Sequence, residues 1–296
     1  MPIDLDAAAD FMTANARLLD RRRFDLITGR GDAADAVSAL DAYANAGGGY
    51  GWALEPDLRT RDSQPVCALH AFEVFEDIAP ATSPRAAELC DWLWSVTLPD
   101  GGLPFALPVT GETAGTAPFW LGDDGKISSL HMTAMLAGIA HRVGAHDPAV
   151  ARHSWLARAT EYVLGEVARL DEPGGALELK YVLQFLDAVH DTLPEAVGHL
   201  ARLGKLLPDS GTMPVEGGAE DEGMRPLDFS PAPGRPLRDL LAPGPIEADL
   251  ERLTGEQRQD GGWTVDWAAR SPAGALEWRG WATVRAVGVL RAHGLV

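Results

Sequence analysis

Apolar positions along the chain follow two helical patterns. In PAVARHSWLARATEYVLGEVARL (148–170), Val150, Trp155, Leu156, Tyr162, Val163 and Val167 share one face, which predicts an amphipathic helix with one wet side. By contrast, PVCALHAFEVF (65–75), SLHMTAMLAGIA (129–140), LKYVLQFLDAV (179–189) and WATVRAVGVL (281–290) are apolar nearly all round and need covering on most sides. The dipeptides Ser83-Pro84, Asp147-Pro148, Leu193-Pro194 and Gly244-Pro245 place proline where a first helical turn tolerates its missing N–H. Strand-like alternation is almost absent, so the pattern predicts an all-α protein.

A Gly-centred turn precedes each apolar helix, and it is written five times. The copies are NAGGGYGWALEPD (45–57), LPDGGLPFALP (98–108), LDEPGGALELK (170–180), LPDSGTMPVEG (207–217) and QRQDGGWTVDW (257–267). A recurring turn that joins an amphipathic helix to an all-apolar one predicts a closed double ring, with amphipathic helices outside and apolar ones inside. Five pairs, plus an N-terminal helix from Asp4 to about Arg22, give an α/α toroid of about five to six helix pairs. The expectation is a single domain over 1–296, with 209–245, rich in Pro, Gly and acids, as a lid or loop insertion.

Composition narrows the partners. The net charge is -18, with 25 basic against 43 acidic residues, which argues against nucleic acid and anionic membrane surfaces because phosphate binding needs clustered Lys and Arg. Cys67 and Cys90 are the sole cysteines, and the N-terminus has no basic, apolar leader pattern, so a cytoplasmic, disulfide-free protein is expected. No apolar run approaches the roughly 18 residues of a membrane span.

Gln257, Asp260, Gly261 and Trp263 match the Q-x-x-D-G-x-W pattern of squalene–hopene cyclases, class II terpene cyclases and protein prenyltransferase β subunits, which the chain thereby resembles. The other four copies keep the Gly turn and an occasional Asp or aromatic residue. The resemblance implies an α/α toroid whose Gln and Trp tie loop to helix, and a substrate cavity at the rim where inner helices begin. It also implies a homodimer or partner subunit closing that cavity.

The residues at the inner-helix starts are accordingly the candidates. Asp62, His131, Glu178, Tyr181 and Glu277 are the catalytic candidates; Trp52, Glu55, Asp57, Arg59, Lys180, Trp278, Arg279 and Trp281 are those for substrate binding. Each start brings at least one cation, which points to an anionic or polar head group, and the aromatic faces would stabilise positive charge in a lipophilic substrate. His131, Glu178, Lys180 and Tyr181 stand out because a polar group inside an apolar helix is costly without a partner or a role.

The catalytic motifs of the resembled families are incomplete. There is no D-x-D-D acid motif; Asp62, in PDLRTRDSQP (56–65), is the nearest equivalent. HMTAMLAG (131–138) is similar to the His-bearing helix of prenyltransferases, but their Asp and Cys zinc ligands have no counterpart, so no metal and no cofactor are expected. Asp123 and Asp124 read as a solvated GDDGK turn. The leading expectation is an enzyme of terpene-cyclase-like or prenyltransferase-like type with a lipophilic small-molecule substrate. The alternatives are a non-catalytic binding or partner protein on the same scaffold, and a carbohydrate-active enzyme using a carboxylate pair such as Glu55 with Glu277 or Asp57 with Glu178.

Overall fold

A computed structural model describes residues 3–111, 113–218 and 222–296. The described chain is mostly helical, with thirteen α-helices and two two-residue β-ladders. It separates into two compact units, one formed by 32–172 and the other by 1–31 together with 173–296.

The first unit contains α3 (Ala33–Leu40), α4 (Pro65–Asp77), α5 (Pro84–Val96), α6 (Leu130–Gly144), α7 (Pro148–Ala151) and α8 (Ser154–Arg169). α6 is its centre: every residue from Met132 to Ala140 is buried, and the helix packs against α4 and α8. The all-apolar stretches read from the sequence thus became the covered helices. Around them Phe72 stacks on Trp155, with ring centroids 6.2 Å apart. The expected single helix over 148–170 is broken after Ala151. Asp147 accepts from the Ala149 N–H and starts α7, and His153 then caps α8 by accepting from the Trp155 N–H at 3.1 Å. Two competing caps one turn apart interrupt a stripe that is otherwise continuous.

The other unit contains α1 (Leu5–Asn15), α2 (Leu18–Ile27), α9 (Ala176–Val189), α10 (Pro194–Leu203), α11 (Pro226–Phe229), α12 (Pro243–Gly255) and α13 (Pro272–Ala292). α1 and α2 pack against α13, so the N-terminal helices share a core with the C-terminal one: Phe11, Phe24, Trp263 and Val287 are all buried in it. α9 packs against α10 and α11. In the 209–245 segment Met213–Pro214 pairs antiparallel with Gly223–Met224, and α11 follows, with Leu227 and Phe229 buried. Residues 219–221 of that segment lie outside the described residues.

Two copies of the repeated turn repeat its hydrogen bonds as well. In LPDGGL the Leu98 N–H donates to the Gly102 carbonyl, the Gly101 N–H donates to Leu98, and the Asp100 carboxylate accepts from the Gly102 N–H. In RQDGGW the Arg258, Gly261 and Gly262 N–H groups make the same three bonds to Gly262, Arg258 and Asp260. The next residue then docks on the following helix: Leu103 N–H donates to Thr133 Oγ1 at 2.8 Å, and Trp263 N–H to Thr283 Oγ1 at 3.0 Å. Each of the five turns has a glycine at positive φ: Gly48, Gly101, Gly175, Gly211 and Gly261. At Gly261 (φ +91°) a β-carbon would also run into the Ala7 carbonyl, so both conformation and space demand glycine.

Candidate functional site

The candidates divide between the two units. Trp52, Glu55, Asp57, Arg59, Asp62 and His131 belong to the 32–172 unit; Glu178, Lys180, Tyr181, Glu277, Trp278, Arg279 and Trp281 belong to the other. Both carboxylate pairs considered for sugar chemistry, Glu55 with Glu277 and Asp57 with Glu178, therefore draw one member from each unit.

In the 32–172 unit, the loop ahead of α4 carries Trp52 and Ala53 at φ 55° and 58°. Two successive non-glycine residues in the left-handed region cost on the order of 1–3 kcal/mol each, and such strain persists only where the surroundings enforce it. Trp52 is exposed, with its indole N–H donating to Asn45 Oδ1 at 2.9 Å. Two residues past the strain, Glu55 is buried, and its Oε2 lies 2.9 Å from His70 Nε2. His70 Nδ1 faces Glu73 Oε2 at 3.3 Å, and Glu55 Oε1 accepts from the Asp57 N–H at 3.1 Å. Burial pulls the His70 imidazole down, but the charge of Glu73 and the hydrogen bonds to Glu55 and Glu73 outweigh it and raise its pKa to about 9.

Asp62 is exposed and accepts from the Thr110 hydroxyl at 2.6 Å. It therefore lacks apolar surroundings. Arg59 donates to the Pro56 carbonyl at 3.3 Å. His131, half-buried at the start of α6, sets its ring edge-on to Phe105, which stacks on Trp120.

In the other unit, three distant stretches of sequence converge. α11 presents Asp228, whose Oδ1 accepts from Arg285 of α13 at 2.6 Å and whose Oδ2 accepts from the Arg225 N–H at 2.8 Å. Burial raises the Asp228 pKa, but the charges of Arg285 and Lys180 prevail and hold it below the usual carboxylate range. The Lys180 ammonium lies 4.6 Å from the Tyr181 ring centroid, a cation–π contact, and forms no hydrogen bond or ion pair among the described residues. Arg285 also lies over Trp281, at 5.8 Å. Trp281 in turn packs with Trp278 and Trp267 as a close aromatic trio, with centroid separations of 4.9, 5.4 and 6.3 Å.

Other candidates in this unit do local work. Glu178 accepts from the Gly174 N–H at 2.7 Å, closing the first turn of its own helix. Arg279 forms a two-pronged ion pair with Asp260 at 2.7 and 2.9 Å and covers the Phe11 ring at 4.3 Å. Glu277 is half-buried near the start of α13. Gln257 ties the last turn to the N-terminus: its side chain accepts from Asp4 N–H at 2.9 Å and donates to the Asp4 and Gly261 carbonyls. The buried Trp263 indole donates to the Leu253 carbonyl at 2.8 Å.

His70, Glu73, Asp228, Trp267 and Arg285 belong to these clusters and were not among the catalytic or binding candidates named from the sequence. His70 carried a usable signal, a polar ring within the apolar PVCALHAFEVF. Arg285 sits one helical turn past Trp281, and only its pairing with Asp228 gives it significance. Among the described residues no cluster of His, Cys, Asp or Glu could hold a metal ion.

These features define a mostly helical protein in which Asp228 of α11 pairs with Arg285 of α13, feels the charge of Lys180 on α9, and lies one guanidinium away from Trp281. Compared with family models and with curated proteins, the chain matches none.

Proposed function

We propose that the chain is a terpene-cyclase-like or prenyltransferase-like α/α toroid that binds a lipophilic small molecule through an anionic head group. The observation that carries this reading is Lys180. It is a cation at the start of an apolar helix, without a hydrogen-bonded partner among the described residues, and its charge acts on Asp228, whose partner Arg285 lies over Trp281 of the tryptophan trio. The ammonium would take the head group, and the tryptophan surfaces the apolar body. The toroid is supported by the repeated turns, the hydrogen bonds shared by the 98–102 and 258–262 copies, and the burial of α4, α6 and α9. A homodimer or partner subunit closing the cavity is part of the proposal.

The test is calorimetric titration with dodecanoate, whose carboxylate is the anionic head group. Lys180→Met should weaken binding by about tenfold or more, the scale of a lost charge-assisted hydrogen bond, and Trp281→Phe should reduce the accompanying change in tryptophan fluorescence. Equal affinity in wild type and Lys180→Met would remove this site from the reading.

A second reading, a non-catalytic binding protein on the same scaffold, draws on the placement of the charged candidates. Asp62 is exposed on Thr110, Arg279 is held by Asp260, and Glu178 closes its own helix. Turnover of a bound isoprenoid by wild type, abolished in Asp62→Asn, would decide for the enzyme.

A further inference from the structure

A cavity of about 320 Å³ opens on the N-terminal helices α1 and α2, and none of the residues discussed above lines it apart from the core residue Phe24. Its lining includes Arg21, Arg22, Arg30 and Asp25, with Met12 and Phe24 among the apolar members. Three guanidinium groups against one carboxylate give it a net charge of +2, in a chain whose total is -18. Self-pairing accounts for part of this charge. Arg22 lies 3.9 Å from Asp25, while Arg30 covers the Phe24 ring at 5.3 Å and donates from Nε to Thr28 at 3.2 Å. Arg21 is different: among the described residues its side chain has neither ion pair nor hydrogen bond, and its Nε is buried without a partner.

The Nε is closed off from solvent, so a ligand in the cavity would be met by the two terminal nitrogens, which have no acceptor among the described residues. A planar fork of donors matches a tetrahedral oxyanion. The volume equals that of about ten liquid waters at ~30 Å³ each, room for a phosphate and a small organic body. We propose that this cavity is a binding site for a phosphate monoester. Arg21 and Arg30 would hold the dianion, and Leu18, exposed on the same lining, would face its organic part. The site is independent of Lys180 and of the function proposed above.

Inorganic phosphate and glycerol 3-phosphate, titrated at constant ionic strength against chloride, are the probes for the free anion; vesicles containing phosphatidic acid are the probe for a lipid headgroup. Both free anions should bind and raise the melting temperature of the full chain. Arg21→Met should bind them at least about tenfold more weakly, Arg21→Lys should recover part of the loss, and Asp25→Asn, which removes the competing carboxylate, should bind more tightly. Far-UV circular dichroism identifies any variant that has lost its helices, and Asp25→Asn then carries the test alone. Binding to vesicles in place of the free anions, with the same dependence on residues 21 and 25, would assign the phosphate to a lipid. Equal affinity of Arg21→Met and wild type, no tightening in Asp25→Asn, or no binding to any of the three probes would overturn the proposal.

Discussion

The protonation of His70 offers a prediction whose sign and size follow from geometry. The imidazole is buried between Glu55 at 2.9 Å and Glu73 at 3.3 Å, and its pKa rises from 6.5 to about 9. A group that gains affinity for its proton on folding stabilises the fold while that proton is bound. The contribution is therefore complete below pH 6.5, falls as pH rises, and is gone once the pH has passed about 9. At about 1.4 kcal/mol per pKa unit the whole effect is of order 3 kcal/mol, lost at close to one proton's slope between those limits. Urea unfolding of wild type and His70→Gln from pH 6 to 10 measures it, because the difference between the two curves cancels the titration of other groups. The expected difference shrinks steadily above pH 6.5, and the His70 ring signal in NMR should stay in its protonated position through pH 8. Parallel unfolding curves, or a ring that titrates near 6.5, would refute the assignment of an imidazolium buried between two carboxylates.

The turn glycine and the cysteines give further tests. Gly261→Ala forces a side chain into positive φ and against the Ala7 carbonyl, so a loss of about 2–4 kcal/mol is expected in thermal or urea unfolding. Gly255→Ala, at a site with open space around it, is the control and should be near neutral. Cys67 and Cys90 are both buried, and burial, with smaller contributions from Asp91 and Asp147, pushes the Cys90 thiol up to about 12. Neither should react with a thiol reagent in the folded protein at pH 8, and both should react fully in denaturant. Rapid native labelling of Cys90 would contradict its burial.

The helices were legible because their signals are local. Periodicity marked which helices would be covered, and Pro84, Pro148 and Pro194 each begin a helix as read. α13 nonetheless begins at Pro272, nine residues ahead of its apolar run, because Ser271 caps it and donor-satisfied helix can extend past the buried stripe. The expected N-terminal helix is split between Asn15 and Leu18, and α3 was not anticipated at all; short, Ala-rich and weakly patterned segments give periodicity little to work on.

The candidate sites were legible only as a pool of residues. Lys180, Tyr181, Trp278 and Trp281 could be named because polar and aromatic residues at the start of apolar helices are conspicuous, yet Arg279 satisfies the same description and is spent on Asp260. Which cation is left unpaired is decided by distances between residues far apart in sequence, such as Arg285 to Asp228 or Arg22 to Asp25. By itself the sequence determined the all-α class, the five glycine turns and the covered helices, since backbone conformation and burial period are properties of a few consecutive residues. Only the tertiary structure decided the partners of each buried charge, because electrostatic pairing depends on separation in space, which the chain sets through packing rather than through order.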